Sequence, residues 1–129
     1  MKAFKPDTLK PTVAELEILR VLWQQAPSTV REVHEALGEG GGYTTTLKLL
    51  QVMHSKGLVE RDDTARAHVY RPAVTKERTQ KRFLHDIVNR VFDGSSSQLV
   101  LHALGSQRST REELRAIRDL LNKLDQEDS

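Results

Sequence analysis

The stretch from Gly42 to Gly57 constrains the fold most, because its pattern predicts a helix with two unlike sides. A buried stripe at helical spacing would consist of Thr46, Leu49, Leu50 and Met53. The opposite side consists of Thr44, Thr45, Lys48, Gln51 and Val52, with Leu47 at its edge. No acidic residue occurs between Glu39 and Glu60, so this opposite side suits contact with a polyanion such as a DNA groove. An ordinary surface helix is the alternative interpretation of this stretch alone.

The charge of the chain bounds how it could bind nucleic acid. The 129 residues suffice for one ordinary domain or two very small ones. Net charge is only +2, and each of the ranges 1–72 and 73–129 holds ten Lys and Arg residues against nine acids. Any binding to nucleic acid must therefore follow from where the charges lie and not from their number.

Several classes of function are disfavoured by residues that the sequence lacks. It has no cysteine, which excludes disulfides, thiolate zinc sites and cysteine nucleophiles. The five histidines are scattered without metal-ligand spacing, and no nucleophile-elbow serine occurs. We therefore expect no enzyme activity, no metal and no cofactor. The N-terminus lacks the apolar run of a signal peptide and no stretch reaches membrane-spanning length, so we expect a soluble cytoplasmic protein.

Two helices are predicted before the central stretch. Residues 12–15 and 29–32 both read Thr-x-x-Glu, the capping-box pattern that begins a helix. Apolar residues follow the first box at helical spacing up to Trp23, and Pro27 ends that helix. Trp23 continues the apolar stripe, which favours a core position over a ligand platform.

A glycine-rich turn and a hairpin flank the third helix. Residues 38–42 include three adjacent glycines, but without a preceding strand they indicate a flexible turn and not a phosphate cradle. The free amides at the start of the third helix would favour a nearby phosphate. Gly57 is suited to closing that helix in a left-handed conformation. The β-prone runs 58–61 and 68–71, separated by polar residues, predict a hairpin.

Three helices followed by a hairpin is the order of a winged helix-turn-helix domain, whose recognition helix enters the major groove. Arg66, near the hairpin tip, would then meet the sugar-phosphate backbone, and Lys56 would also contact phosphates. The alternative for Arg66 is a solvated turn residue. We predict a mainly α fold with a small β-hairpin, in which 1–72 form the DNA-binding domain.

The range 73–129 is predicted to be purely helical. A long helix starts near Thr75, a short apolar segment covers 99–104, and a capping pattern at 109–113 begins the last helix. Three helices of this size bury little apolar surface alone, so we predict a dimerisation domain over 73–129. Folding back onto the N-terminal half is the alternative. The predicted dimerisation residues are Phe83, Ile87, Val91, Leu114, Ile117 and Leu121.

The sequence resembles the penicillinase-repressor (BlaI/MecI/CopY) family. The resemblance lies in the run 14–23, in Tyr43-Thr44-Thr45, in 56–59 and in 68–70. It implies a homodimeric bacterial transcriptional repressor that binds an inverted-repeat operator. Together with the helix pattern it gives the predicted DNA-binding residues Tyr43, Thr44, Thr45, Lys48, Gln51, Lys56, Arg66 and His68. A winged-helix module that binds protein, without sequence-specific DNA binding, is the alternative function.

The resemblance also implies a route of regulation. Related resistance repressors are relieved when a membrane-bound sensor metalloprotease causes the repressor to be cut, and the equivalent region here is Leu101-His102-Ala103. This chain has His102-Ala103 where those repressors carry Asn-Phe, so it departs from the family's pattern at the site of the cut. Copper-responsive members use a cysteine motif near the C-terminus, which this chain lacks.

Overall fold

A computed structural model describes residues 10–38 and 41–128 as a mainly helical chain with one small sheet, which confirms the predicted fold class. The chain divides into two compact units, with the division between Asp86 and Ile87. The elements are α1 Val13–Gln25, β1 Ser28–Thr29, α2 Val30–Leu37, α3 Tyr43–Lys56, β2 Val59–Asp62, β3 Val69–Pro72, α4 Lys76–Val91, α5 Ser96–Ser106 and α6 Arg111–Glu127.

The helix starts follow from local capping chemistry. Glu15 N donates to Thr12 Oγ1 at 3.2 Å, and Thr12 N donates to Glu15 Oε1 at 2.9 Å, so two otherwise unpaired amides are satisfied. The same reciprocal pair begins α2 at Thr29 and α6 at Thr110. All three predicted capping boxes are therefore present. Gly57 closes α3 with φ 85°, in the left-handed region that favours glycine.

The core of the first unit forms where the apolar sides of α1, α2 and α3 meet the sheet. Its buried apolar residues are Ile18, Leu19, Leu22, Val30, Val33, Leu50, Met53, Leu58, Val59, Tyr70 and Val74. Trp23 packs against this core, half-buried, and its Nε1 donates to the Val74 carbonyl at 3.0 Å. The predicted core role of Trp23 is thus confirmed, with a hydrogen bond that satisfies its polar edge.

The sheet has one strand more than the predicted hairpin. Its order is β1-β3-β2, with Ser28 opposite Tyr70 and Arg61 opposite Tyr70 on the other flank. Strand β1 joins the ladder although it has only two residues, too few for any alternation to appear in the sequence. The two longer strands lie at Val59–Asp62 and Val69–Pro72, one residue later than predicted.

The division between the units differs from the predicted boundary at Pro72. Val74 is 7% exposed and belongs to the core of the first unit, and Thr79 on α4 is 4% exposed. The chain beyond Pro72 therefore completes the first unit before the second one begins.

The second unit leaves many of its apolar residues exposed. No residue of α5 or α6 is buried. Its exposed large apolar side chains are Ile87, Val91, Val100, Leu101, Leu104, Leu120, Leu121 and Leu124.

The predicted glycine-rich turn lies partly outside the described residues, since Glu39 and Gly40 are not among them. Within the described ranges, no helix has the length and apolar character to cross a membrane.

Candidate nucleic-acid interface

Helix α3 presents the two sides that its sequence predicts. Its buried residues are Thr46, Leu50 and Met53, and Leu49 is half-buried. The exposed residues of the opposite side include Thr44, Thr45, Lys48, Gln51 and Val52. This exposed side therefore offers two hydroxyls, one amide and one ammonium group for polar contacts, while Leu47 at its edge packs partly against the core.

The start of α3 has amide groups available to an anion. Gly42 is the N-cap residue and makes no side-chain capping bond, and the first turn holds no acid. Its carbonyl accepts from the amides of Thr45 and Thr46 at 3.1 and 3.3 Å. A helix end of this kind favours a phosphate, because its amides and its dipole both present positive charge.

Tyr43 stands at this helix end between two side chains of α2. The Arg31 guanidinium carbon lies 5.6 Å from the Tyr43 ring centroid, and the His34 ring meets Tyr43 edge-on at 6.0 Å. His34 is itself tied to α3, with Nδ1 3.1 Å from Thr46 Oγ1. These contacts restrain a tyrosine that is 42% exposed, and they bring an arginine from α2 to the front of α3.

A groove of about 440 Å³ separates α2 and α3 from the β2–β3 hairpin, which is the wing of this fold. Its lining residues are Thr29, Val30, Arg31, Tyr43, Leu47, Gln51, Arg61, Arg66, Ala67, His68 and Tyr70. The lining contains three arginines and one histidine and no carboxylate, so the groove is a concave surface of positive charge.

One carboxylate lies beside the groove. Asp63 Oδ1 is 2.7 Å from Arg61 Nε and 3.6 Å from His68 Nδ1. The pKa of the Arg61 guanidinium is raised, first by the Asp63 carboxylate and then by the hydroxyl of Tyr70. Arg61 is therefore a groove cation with an anionic partner on the same hairpin.

Lys56, predicted to contact phosphate, has a partner within the chain. Its Nζ donates to Glu15 Oε2 at 2.8 Å, and the Glu15 side chain is only 2% exposed. Burial raises the pKa of Glu15, but hydrogen bonds from Lys56 and the Thr12 amide and the charge of Lys56 outweigh it, so this pKa lies below its ordinary value. The pair joins the start of α1 to the end of α3, and we leave Lys56 out of the proposed interface.

The other predicted DNA-binding residues fall into two neighbouring groups. Tyr43, Gln51, Arg66 and His68 line the groove, whereas Thr44, Thr45 and Lys48 lie on the exposed side of α3. The sequence interpretation missed Arg31 and Arg61. Arg61 lies directly opposite Tyr70 in the sheet, and residues directly opposite each other share one face. The predicted hairpin was therefore the available signal for Arg61.

The predicted dimerisation residues do not all lie in one unit. Phe83 belongs to the first unit, where Lys10 Nζ lies 5.3 Å from its ring centroid. The other five belong to the second unit. There Ile87, Val91 and Leu121 are exposed, while Leu114 and Ile117 are half-buried.

The predicted cleavage region is helical. Leu101, His102 and Ala103 lie inside α5, and the His102 carbonyl accepts from Ser106 Oγ at 2.7 Å. Leu101 is 65% exposed, and the His102 ring lies 5.6 Å from that of Phe92. In ranges 10–38 and 41–128, no three His, Asp or Glu side chains are grouped to hold a metal ion.

The three helices, the short first strand and the wing define the first unit as a winged helix-turn-helix domain. The sequence profile of the penicillinase repressor family matches residues 11–123, and the chain belongs to that family. Its members are transcriptional repressors, which confirms the predicted resemblance and the expectation that the chain is not an enzyme.

The chain is also similar to individual proteins of known sequence or structure. The chain is 24% identical to the penicillinase repressor of Bacillus licheniformis over 112 residues, which are 85% of this chain and 88% of the relative. It is 33% identical to the transcriptional regulator BlaI of Mycobacterium tuberculosis over 90 residues, 67% of this chain and 65% of that one. The solution structure of monomeric Bacillus licheniformis BlaI with the blaP half-operator aligns with a TM-score of 0.47 at 23% identity, covering 55% of this chain and 89% of that one.

Proposed function

We propose that this protein is a homodimeric bacterial repressor that binds an inverted-repeat operator through α3 and the adjoining groove. One observation carries the proposal: the exposed side of α3 holds hydroxyls, an amide and one ammonium group but no carboxylate, and it adjoins a groove lined by three arginines. A surface of this composition complements base edges and phosphates together.

Within this interface, we assign base contacts to the exposed side of α3. Thr44, Lys48 and Gln51 provide the hydroxyl, ammonium and amide groups that pair with base edges in the major groove. Arg66, on the wing, is assigned to the sugar-phosphate backbone. Tyr43 and Arg31 are assigned to the same backbone near the start of α3, where the helix amides favour a phosphate.

The homodimer is proposed from the second unit. Its apolar side chains at Leu114, Ile117, Leu121 and Leu124, here called the seam, recur along α6 at spacings of three and four, as in paired helices. Leu121 and Leu124 are 53% and 48% exposed, which leaves apolar surface for a second copy to cover. Two copies related by a two-fold axis would present two α3 helices to an operator with the same symmetry.

Relief of repression through a sensor metalloprotease is the proposed route of induction, with a cut in the region Leu101–Ala103. A protease binds its substrate as an extended strand, so α5 would have to unwind locally before the cut. Operator DNA and the sensor's soluble protease side would both meet the repressor in the cytoplasm, where we place its action.

An electrophoretic mobility shift with the gene's own upstream DNA tests the proposal. We expect one specific complex that weakens steeply between 50 and 200 mM salt, since bound phosphates release counterions, by about 10³-fold if six phosphates are contacted. A scrambled duplex of equal length is the control. Equal affinity for both duplexes would favour the alternative, a winged-helix module that binds protein.

A further inference from the structure

Asp63 lies beside the groove and pairs with one of its cations. Its Oδ1 is 2.7 Å from Arg61 Nε, and its side chain is 52% exposed against 26% for Arg61. His68 Nδ1 is 3.6 Å from the same oxygen. Arg61 and His68 line the groove and Asp63 does not. The carboxylate therefore neutralises a groove cation from the solvent side.

A carboxylate in this position could either orient Arg61 for DNA or compete with DNA for it. Orientation has another source, because Arg61 pairs across the sheet with Tyr70, which is 1% exposed and whose hydroxyl also raises the pKa of the guanidinium. Arg61 thus keeps this buried cross-strand neighbour when Asp63 is absent. A phosphate and a carboxylate are moreover interchangeable partners for a guanidinium, since both accept from its planar fork.

We propose that Asp63 is a built-in competitor of the DNA phosphate, which occupies Arg61 in the free repressor and gives it up when a backbone phosphate enters the groove. The inference rests on the proposed DNA-binding function. It adds Arg61 as a residue that binds a DNA phosphate, and Asp63 as an internal anion that limits the affinity of the repressor for DNA. Exchange of one anion for another costs part of the binding energy, so Asp63 keeps affinity for DNA below what the groove cations alone would give.

The experiment is a titration of upstream duplex and of scrambled duplex with wild type and Asp63→Asn at fixed salt. We expect Asp63→Asn to bind both duplexes about threefold to fivefold more tightly, the range for freeing one partly exposed ion pair. Glu60→Gln is the matched control. It also removes one negative charge, but Glu60 lies on β2 and does not line the groove. For this control we expect a change below about 1.5-fold, since screening weakens charges remote from the DNA.

A double-mutant cycle with Arg61→Gln separates competition from simple repulsion between Asp63 and DNA. If Asp63 acts through Arg61, Asp63→Asn gains little in the Arg61→Gln background. An equal gain in both backgrounds, or weaker binding by Asp63→Asn, overturns the inference. Melting temperatures of all variants confirm that each is folded, and Arg61→Met, which also removes the charge, replaces Arg61→Gln if that variant unfolds. Failure of wild type to bind either duplex would instead refute the proposed function.

Discussion

The two units of this chain use apolar residues in opposite ways. In the first unit, side chains such as Ile18, Leu50 and Met53 are fully buried within a single copy, around helices that meet a sheet. In the second unit, α5 and α6 bury no residue, and Val91 and Leu101 are 66% and 65% exposed. The first unit therefore has a core of its own, whereas the second leaves apolar surface exposed. In the proposed function this difference corresponds to a division of work, in which the first unit contacts DNA and the second joins copies.

The strongest challenge to this division is a charge in the seam. We expect Ile117→Asp to convert a dimer to a monomer, because a carboxylate would be buried between two helices without a partner. Operator affinity should then fall by roughly 10²-fold or more, since the second half-site is no longer tethered to the first. Sedimentation equilibrium followed by operator titration measures both effects.

Asn122→Asp is the matched control for this test. Asn122 lies on α6 outside the seam and is exposed, so the added charge should leave the dimer and its affinity unchanged. If Ile117→Asp remained dimeric, or bound the operator as tightly as wild type, the second unit would not have the role assigned to it.

The exposed side of α3 gives the next largest expected effect. We expect the double replacement Thr44→Ala/Lys48→Ala to weaken operator binding by about tenfold to 100-fold, within the range for lost contacts to base edges. The melting temperature should stay nearly constant, because both residues are exposed. Lys81→Ala, an exposed lysine on α4, serves as the control. A parallel loss of stability and binding would mean that this side of α3 is buried in the functional protein.

The Glu15–Lys56 pair provides a test that is confined to the stability of the first unit. Glu15→Gln keeps a capping box, because glutamine can also accept from the Thr12 amide, but it removes the charge opposite Lys56. We expect a loss of about 1 kcal/mol near pH 7, with the variant melting a few degrees lower. Thermal melts at several pH values measure the difference.

The sign of the pH dependence follows from the lowered pKa of Glu15. A carboxyl with a lower pKa in the folded state stabilises the protein above its unfolded pKa, and this contribution is lost as the pH falls through the folded value. The difference in melting temperature between wild type and Glu15→Gln, here called the gap, should therefore shrink below about pH 4. Glu32→Gln, at the equivalent capping position of α2, should show a smaller gap at pH 7. A gap that is constant down to pH 3 would contradict the ion pair.

The smallest expected effect concerns the wing. Arg66→Ala should weaken specific and scrambled duplexes alike, by a few-fold, and lower the salt slope by about one unit, as for one lost phosphate contact. Arg71→Ala, on the same hairpin but outside the groove, should change neither quantity. Altered base preference in Arg66→Ala would show that this arginine contacts a base.

Local signals in the sequence were sufficient for most of the fold. The three capping boxes, the left-handed Gly57 and the two sides of α3 each depend on residues within one turn or one helix, and all were predicted. Such features are set by short-range geometry, so periodicity and spacing reveal them.

Features that depend on distant residues were missed. Glu15 and Lys56 are 41 positions apart, and no pattern links them before the fold brings α1 to the end of α3. Strand β1 has two residues and exists through its ladder with β3. The groove likewise combines Arg31 from α2 with Arg61 from β2, so its charge is a property of the tertiary structure.

The central claim is that two copies, joined by their second units, place two α3 helices on one operator. Nuclease footprinting of the upstream region, combined with native mass spectrometry of the complex, tests it most directly. The account predicts two protected half-sites whose sequences are related by a two-fold axis. Their centres should lie one helical turn of DNA apart, about 34–36 Å, or a multiple of it, and two chains should be bound to one duplex. A tight complex containing one chain, or protection without two-fold symmetry, would contradict the account.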